Sequence, residues 1–251
     1  MVVAALLALA GGPAFADSFV NGNFETGNAQ GWNIGNGSFY RASVNNTNLT
    51  PAVVLAGGRA PHSAVVGPGL VAETGNQLNQ VYSGNWSYRV EDMTTGGYAS
   101  IIQQQVNNYS DPDIFFAWAA ILEGAHGLED AATVKIFLRD LTTGTDLIVR
   151  QYNAASGGGG VDPRFKYNAS TGFYWTPWQT EQLTIGPNLA GHNFLLSVIA
   201  SDCSPTAHQG TLFLDGFGSV APPPGAVPEP ASMLLLGSGL VGLAARLRRR
   251  K

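Results

Sequence analysis

Charge is scarce in this 251-residue sequence: Asp, Glu, Lys and Arg together make up 12% of it. Without abundant Lys and Glu there is little material for exposed helices. Polarity falls instead to Asn, Ser and Thr among 32 glycines, a composition of strands and turns. Cysteine is almost missing. A lone Cys203 excludes an intramolecular disulfide, so stability must come from a core, which a chain of this length can bury. Cys203 reads as a small buried hydrophobe, with an intermolecular disulfide or a reactive thiol as alternatives.

Positive charge is absent from the body as a cluster. Five of the 13 basic residues lie in the last six positions, and Glu229 is the one acidic residue of 17 beyond Val227. The body, Asp17 to Val227, therefore carries about −8. Nucleic acid is excluded as a partner, since its binding needs clustered cations. Catalytic spacing is missing too. His62, His126, His192 and His208 form no metalloprotease pattern, and there is no nucleophile elbow or phosphate loop. Glu123, Glu129 and Asp130 around His126 offer an acid/base cluster, but "LEGAHGLED" reads better as a solvated loop. Asp202 and Cys203 with His208 supply metal donors without regular spacing. No catalytic role is expected, a secreted hydrolase being the lesser alternative.

Both termini carry signals. Residues 1–16 resemble a secretory signal peptide: an apolar run, a Gly-Gly-Pro break and Ala14-Phe15-Ala16 as a cleavage site, although no Lys or Arg precedes the run. Export of the chain by secretion machinery follows from that reading. At the other end, 221–230 ("APPPGAVPEP") is a proline-rich linker, 231–245 is uncharged, and 246–251 is basic. A helix over those 15 uncharged residues spans roughly 22 Å against a hydrocarbon core of about 30 Å, a marginal membrane crossing. The basic end should stay cytoplasmic. A tail anchor is one reading of this segment. Pro228-Glu229-Pro230, a short apolar helix and the cluster Arg246, Arg248, Arg249 and Arg250, in that order, resemble the PEP-CTERM sorting signal of Gram-negative bacteria. The resemblance implies passage through the cytoplasmic membrane on the apolar helix and processing by exosortase. It further implies delivery to the cell surface or to an extracellular polysaccharide (biofilm) matrix.

Between the termini, alternation predominates. "WSYRVED" (86–92) and "YASIIQQQV" (98–106) read as strands around Thr95-Gly96-Gly97. "DIFFAWAAILE" (113–123) reads as a central strand buried on both faces, or as a buried helix. In "ATVKIFLRDLTTGTDLIVRQY" Val134, Ile136 and Leu138 face one way and Lys135 and Arg139 the other, with a turn at Thr142-Thr143-Gly144. "NFLLSVIAS" and "GTLFLDGFGSV" are late strands, and "SGGGG" (156–160) reads as a mobile loop. The fold class expected for 17–220 is all-β: a single β-sandwich, a jelly roll, followed by the C-terminal apolar helix.

"FVNGNFETGNAQGW" (19–32) and Leu214-Asp215 near the end of the body resemble the opening and closing segments of galactose-binding-like jelly rolls, including carbohydrate-binding modules. The resemblance implies carbohydrate binding and a structural calcium ion (Ca2+) between Glu25 and Asp215. Asn21, Asn23 and backbone carbonyls could add oxygen ligands. Alternatively, Glu25 caps its own turn and Asp215 pairs with a base. Sugar recognition places aromatic faces against pyranose rings. The densest aromatic segment holds Tyr167, Phe173, Tyr174, Trp175 and Trp178, of which Tyr174, Trp175 and Trp178 are the ligand-binding candidates. Packing in the core is the competing account. Trp32 and Trp118 read as core.

Overall fold

The computed structural model describes residues 19–38, 49–55, 61–91, 93–205 and 208–223. Two antiparallel sheets face each other. One has the order β1 (Asn33–Ser38), β4 (Tyr98–Tyr109), β11 (His192–Ser201), β6 (Thr133–Asp140) and β7 (Thr145–Asn153). The other runs β2 (Ala64–Val66), β3 (Ser87–Val90), β12 (Gly210–Gly218), β5 (Asp113–Glu123), β9 (Phe173–Trp175) and β8 (Lys166–Asn168). Strand β10 (Gln179–Thr184) pairs with the first half of β5 and β9 with its end. The chain crosses from sheet to sheet between β3 and β4, β4 and β5, and β5 and β6. The segments flanking Thr95-Gly96-Gly97 are therefore strands, as expected, but they belong to opposite sheets and form no hairpin.

Side-chain alternation explains the layers. Val134, Ile136 and Leu138 of β6 and Leu196, Val198 and Ala200 of β11 fill the space between the sheets with Phe116, Trp118 and Leu122 of β5. Strand β5 is apolar throughout because its other face is covered too. There Ala119 and Ile121 pack with Phe213, Trp175, Val71 and Leu78. On the outside of the first sheet, Leu49 and, from the short helix α1 (Pro51–Leu55), Val54 cover Ile101 and Ile199. Lys135 points outward as its position demands, yet this cover buries it to 2% exposure. Its ammonium donates to the Leu49 carbonyl at 2.9 Å, and burial lowers its pKa to about 8.

A polar clasp joins the sheets along one edge. Glu181 on β10 accepts two hydrogen bonds from Arg150 on β7, at 2.7 and 2.5 Å, and one from the Trp118 indole at 3.1 Å. Residues 155–160 form a turn closed by a bridge between Ala155 and Gly159. Among the described residues no helix is long and apolar enough to cross a membrane. The expected signal peptide, the sorting residues Pro228, Glu229, Pro230, Arg246, Arg248, Arg249 and Arg250, and the apolar helix 231–245 lie outside the described residues.

Candidate functional site

The N-terminal loop closes one end of the sandwich. Asn21 and Phe24 have left-handed φ angles of 52° and 57°, which curl the loop so that the Asn21 carbonyl accepts the Phe24 amide at 3.2 Å. Phe24 is thereby driven inward, stacking on Trp32 at 5.1 Å and Tyr88 at 5.4 Å. Gly22 lies against β12: its carbonyl accepts the Phe217 amide at 2.9 Å, and a Cβ there would sit 1.8 Å from the Phe217 oxygen. No other residue fits.

This curl carries Glu25 to the turn Tyr82–Trp86. Its Oε1 accepts the amides of Asn85 and Trp86 at 2.8 and 3.0 Å, and its Oε2 accepts Asn85 Nδ2 at 3.0 Å. Gly84, with φ +73°, makes room, since a Cβ there would stand 2.4 Å from Oε1. Asp215 holds the same turn through Oδ2, which accepts the amides of Tyr82 and Ser83 at 3.2 and 3.1 Å. The structure thus brings the two sequence-predicted carboxylates to one turn. Among the described residues Glu25 does not cap its own turn, and Asp215 pairs with no base.

Asp215 is fully buried, and among the described residues its Oδ1 meets no hydrogen-bond partner. Burial raises its pKa to about 7 against the opposing amides of Ser83, Gly216 and Tyr82, and the Glu25 charge adds to the rise. An orphaned carboxylate oxygen beside a second carboxylate is a donor set suited to a hard cation. Asn21 and Asn23 fit the expectation less well. Their side-chain oxygens accept the amides of Thr26 and Glu25 within their own loop. A groove of about 770 Å³ opens beside the junction, with Phe19, Tyr109, Phe217 and Pro222 as apolar walls and Asp111 at its rim.

The aromatic candidates do not form one face. Trp175 is 2% exposed and packs against Ile121 and Phe213, so it belongs to the core and offers nothing to a ligand. Trp178 packs against the same cluster and donates its indole N–H to the Asn79 carbonyl at 2.8 Å. Tyr174 is half-buried. Its ring lies 4.6 Å from that of Tyr167, which is 56% exposed. Tyr167 and Trp86, at 37%, are the open rings that the sequence reading left out of the binding set. The signal for Tyr167 was present: it pairs with Tyr174 across β8 and β9, so both rings share a face.

The body is similar in structure to several solved proteins. The carbohydrate-binding module TmCBM61, solved in complex with β-1,4-galactotriose, is 10% identical with a TM-score of 0.40, over 80% of this chain and 97% of that one. The module CBM27-1 of Caldicellulosiruptor saccharolyticus, in complex with mannohexaose, is 9% identical with a TM-score of 0.33, over 78% and 93%. The K1 cleaved adhesin domain of Lys-gingipain from Porphyromonas gingivalis W83 is 11% identical with a TM-score of 0.35, over 80% and 94%. No curated protein matches the chain. Residues 226–250 match the PEP-CTERM protein-sorting motif, around the Pro228-Glu229-Pro230 and arginine cluster singled out above. The chain carries a PEP-CTERM signal and is an exported protein sorted to the cell surface.

Proposed function

We propose that the body is a non-catalytic, carbohydrate-binding jelly roll of the galactose-binding-like kind, displayed in the extracellular polysaccharide matrix of a Gram-negative bacterium. The tail holds the chain in the cytoplasmic membrane during transit, and exosortase then removes the basic end. The observation that carries the binding role is the Tyr167–Tyr174 pair, an exposed ring backed by a second on the same face of β8 and β9. A pyranose stacks on such a surface through its C–H face, and burial of that face from water drives the contact. The alternation of strands between sheets supports the jelly-roll reading. Calcium at Glu25 and Asp215 would pin the N-terminal loop to β12 and the turn Tyr82–Trp86, stabilising the fold and taking no part in chemistry.

The test uses the mature protein recovered from the cell surface. Its mass should lack the arginine cluster, and it should be retained in gels containing the organism's own exopolysaccharide. Tyr167→Ala should weaken that retention about tenfold, near 1.4 kcal/mol, with melting unchanged. A mature protein that migrates freely through every polysaccharide removes the binding role. That outcome favours a purely structural matrix protein, a reading supported by the burial of Trp175.

A further inference from the structure

The end of the sandwich remote from Glu25 gathers nitrogen and sulfur. Residues 124–132 link β5 to β6 and residues 202–209 link β11 to β12, so both loops emerge beside each other. His126 stands in left-handed backbone with φ 63°, which a side chain this large keeps only where its surroundings hold it. They do: its carbonyl accepts the Ser156 amide at 2.9 Å, and the preceding Ala125 amide donates to Ala154 at 3.0 Å. From the other loop, the Cys203 amide donates to the His208 carbonyl at 2.8 Å, and the His208 amide donates to Cys203 Sγ at 3.1 Å. Three donor atoms converge as a result. His208 Nδ1 lies 2.9 Å from His126 Nε2 and 3.6 Å from Cys203 Sγ, and the three ligand atoms all fall within 4.8 Å of one another.

We propose that His126 Nε2, His208 Nδ1 and the Cys203 thiolate bind a zinc ion as three of its ligands. Tetrahedral zinc, with Zn–N near 2.0–2.1 Å and Zn–S near 2.3 Å, separates two nitrogens by about 3.3 Å and nitrogen from sulfur by about 3.6 Å. The His208 Nδ1–Sγ distance of 3.6 Å already agrees, and His126 Nε2, within 4.8 Å of Sγ, completes the triangle by closing on it. The two nitrogens need to part by about 0.4 Å, and the rings cross at 72°, so they separate without unstacking. The donor set narrows the choice to transition metals that take imidazole and thiolate, zinc among them, whereas calcium and magnesium take oxygen. The His208 amide N–H donates to Sγ and so holds the sulfur beside the two imidazoles. Full burial of Cys203 argues against the other use of a thiol beside imidazole, attack on a substrate.

The test is titration of the chelator-treated full chain with Co2+, which reports sulfur ligation by a near-ultraviolet charge-transfer band and four-coordination by intense visible bands. One equivalent should bind with both signatures; Zn2+ should bleach them and Ca2+ should not. His126→Gln and His208→Gln, in loops, keep the core intact by circular dichroism. Each should lower Co2+ affinity by more than the 10–100-fold that follows loss of a group merely supporting a ligand. Cys203→Ser should abolish the charge-transfer band. Cobalt bound without that band, a band that survives both histidine substitutions, or no binding at all would overturn the site.

Discussion

The two ends of the sandwich solve different problems with the same strand. At one end of β12, His208 and Cys203 converge with His126 as soft donors arranged by two loops. At the other, Asp215 and Glu25 are hard donors arranged by a turn whose amides they already hold. The soft end has its donors facing one another. The hard end has spent most of its oxygens on backbone amides and keeps one, Asp215 Oδ1, without a partner. Convergence of loops therefore marks the first end, and an unsatisfied buried group marks the second. Each kind of mark is broken by a different change.

The largest effects should come from two glycines that separate the ends. A Cβ at Gly22 would lie 1.8 Å from the Phe217 oxygen, and one at Gly210 would lie 2.3 Å from the Ser201 oxygen. Backbone on both sides leaves no rotamer to relieve either contact. Gly22→Ala and Gly210→Ala should each destabilise the protein by about 3 kcal/mol or more in urea unfolding, the range of severe strain in a packed structure. The comparison sharpens in what each variant loses. Gly22→Ala should weaken the rise in melting temperature on adding calcium and leave cobalt binding in place. Gly210→Ala, next to the loop that carries Cys203 and His208, should do the reverse. Equal loss of both responses in either variant would mean that the ends are not independent.

Asp215 should give the next effect, visible as a pH dependence. Its folded pKa of about 7 stands above the unfolded value near 3.9, so the native state holds the proton more tightly. Its stabilising contribution is complete below about pH 4 and is lost as pH rises through 7. Three pKa units correspond to about 4 kcal/mol, so metal-free protein should lose stability on that order between pH 4 and 8. Calcium, proposed above to bind this carboxylate, should offset the loss at pH 8 and do little at pH 4. Asp215→Asn keeps an oxygen for the Tyr82 and Ser83 amides but cannot titrate. Its stability should be flat over this range with or without calcium. A wild-type curve as flat as that of Asp215→Asn would remove the buried-carboxylate argument.

Much of the framework was legible because alternation reports burial directly. Strand β5 matches its expected span, Asp113 to Glu123, and the structure decides for the strand over the buried helix that the same apolar run allowed. The hairpin of β6 and β7 followed from its turn. The pairing partners of β3 were not legible: the turn signal at 95–97 says that the chain bends but not which sheet it enters. Glu25 and Asp215 were found through the resemblance of two short segments. The turn Tyr82–Trp86 that joins them contributes backbone amides, which leave no mark on residue type. His126 escaped the metal reading because it lies 77 positions before Cys203, and only the loops' shared end unites them. Trp175 was misjudged because strand alternation says that neighbours oppose one another but not which of them is covered. The outer face of β5 is buried by the segment around Val71 and Leu78.

The smallest effect tests whether Glu25 serves the fold or the cation. Glu25→Gln retains an oxygen for the Asn85 and Trp86 amides, and the Asn85 side chain can turn its own oxygen toward the new NH2. Metal-free stability at pH 4 should therefore change little, because the hydrogen bonds survive and Asp215 is protonated there. Two differences should remain. The Glu25 charge helps to raise the Asp215 pKa, so its removal should shift the midpoint of the pH–stability curve downward. Calcium should bind at least about tenfold more weakly, because a site's affinity falls with each ligand charge removed. A variant that keeps wild-type calcium affinity but melts earlier at every pH would reverse the assignment. Glu25 would then be a clamp on the turn Tyr82–Trp86, and Asp215 alone would face the cation.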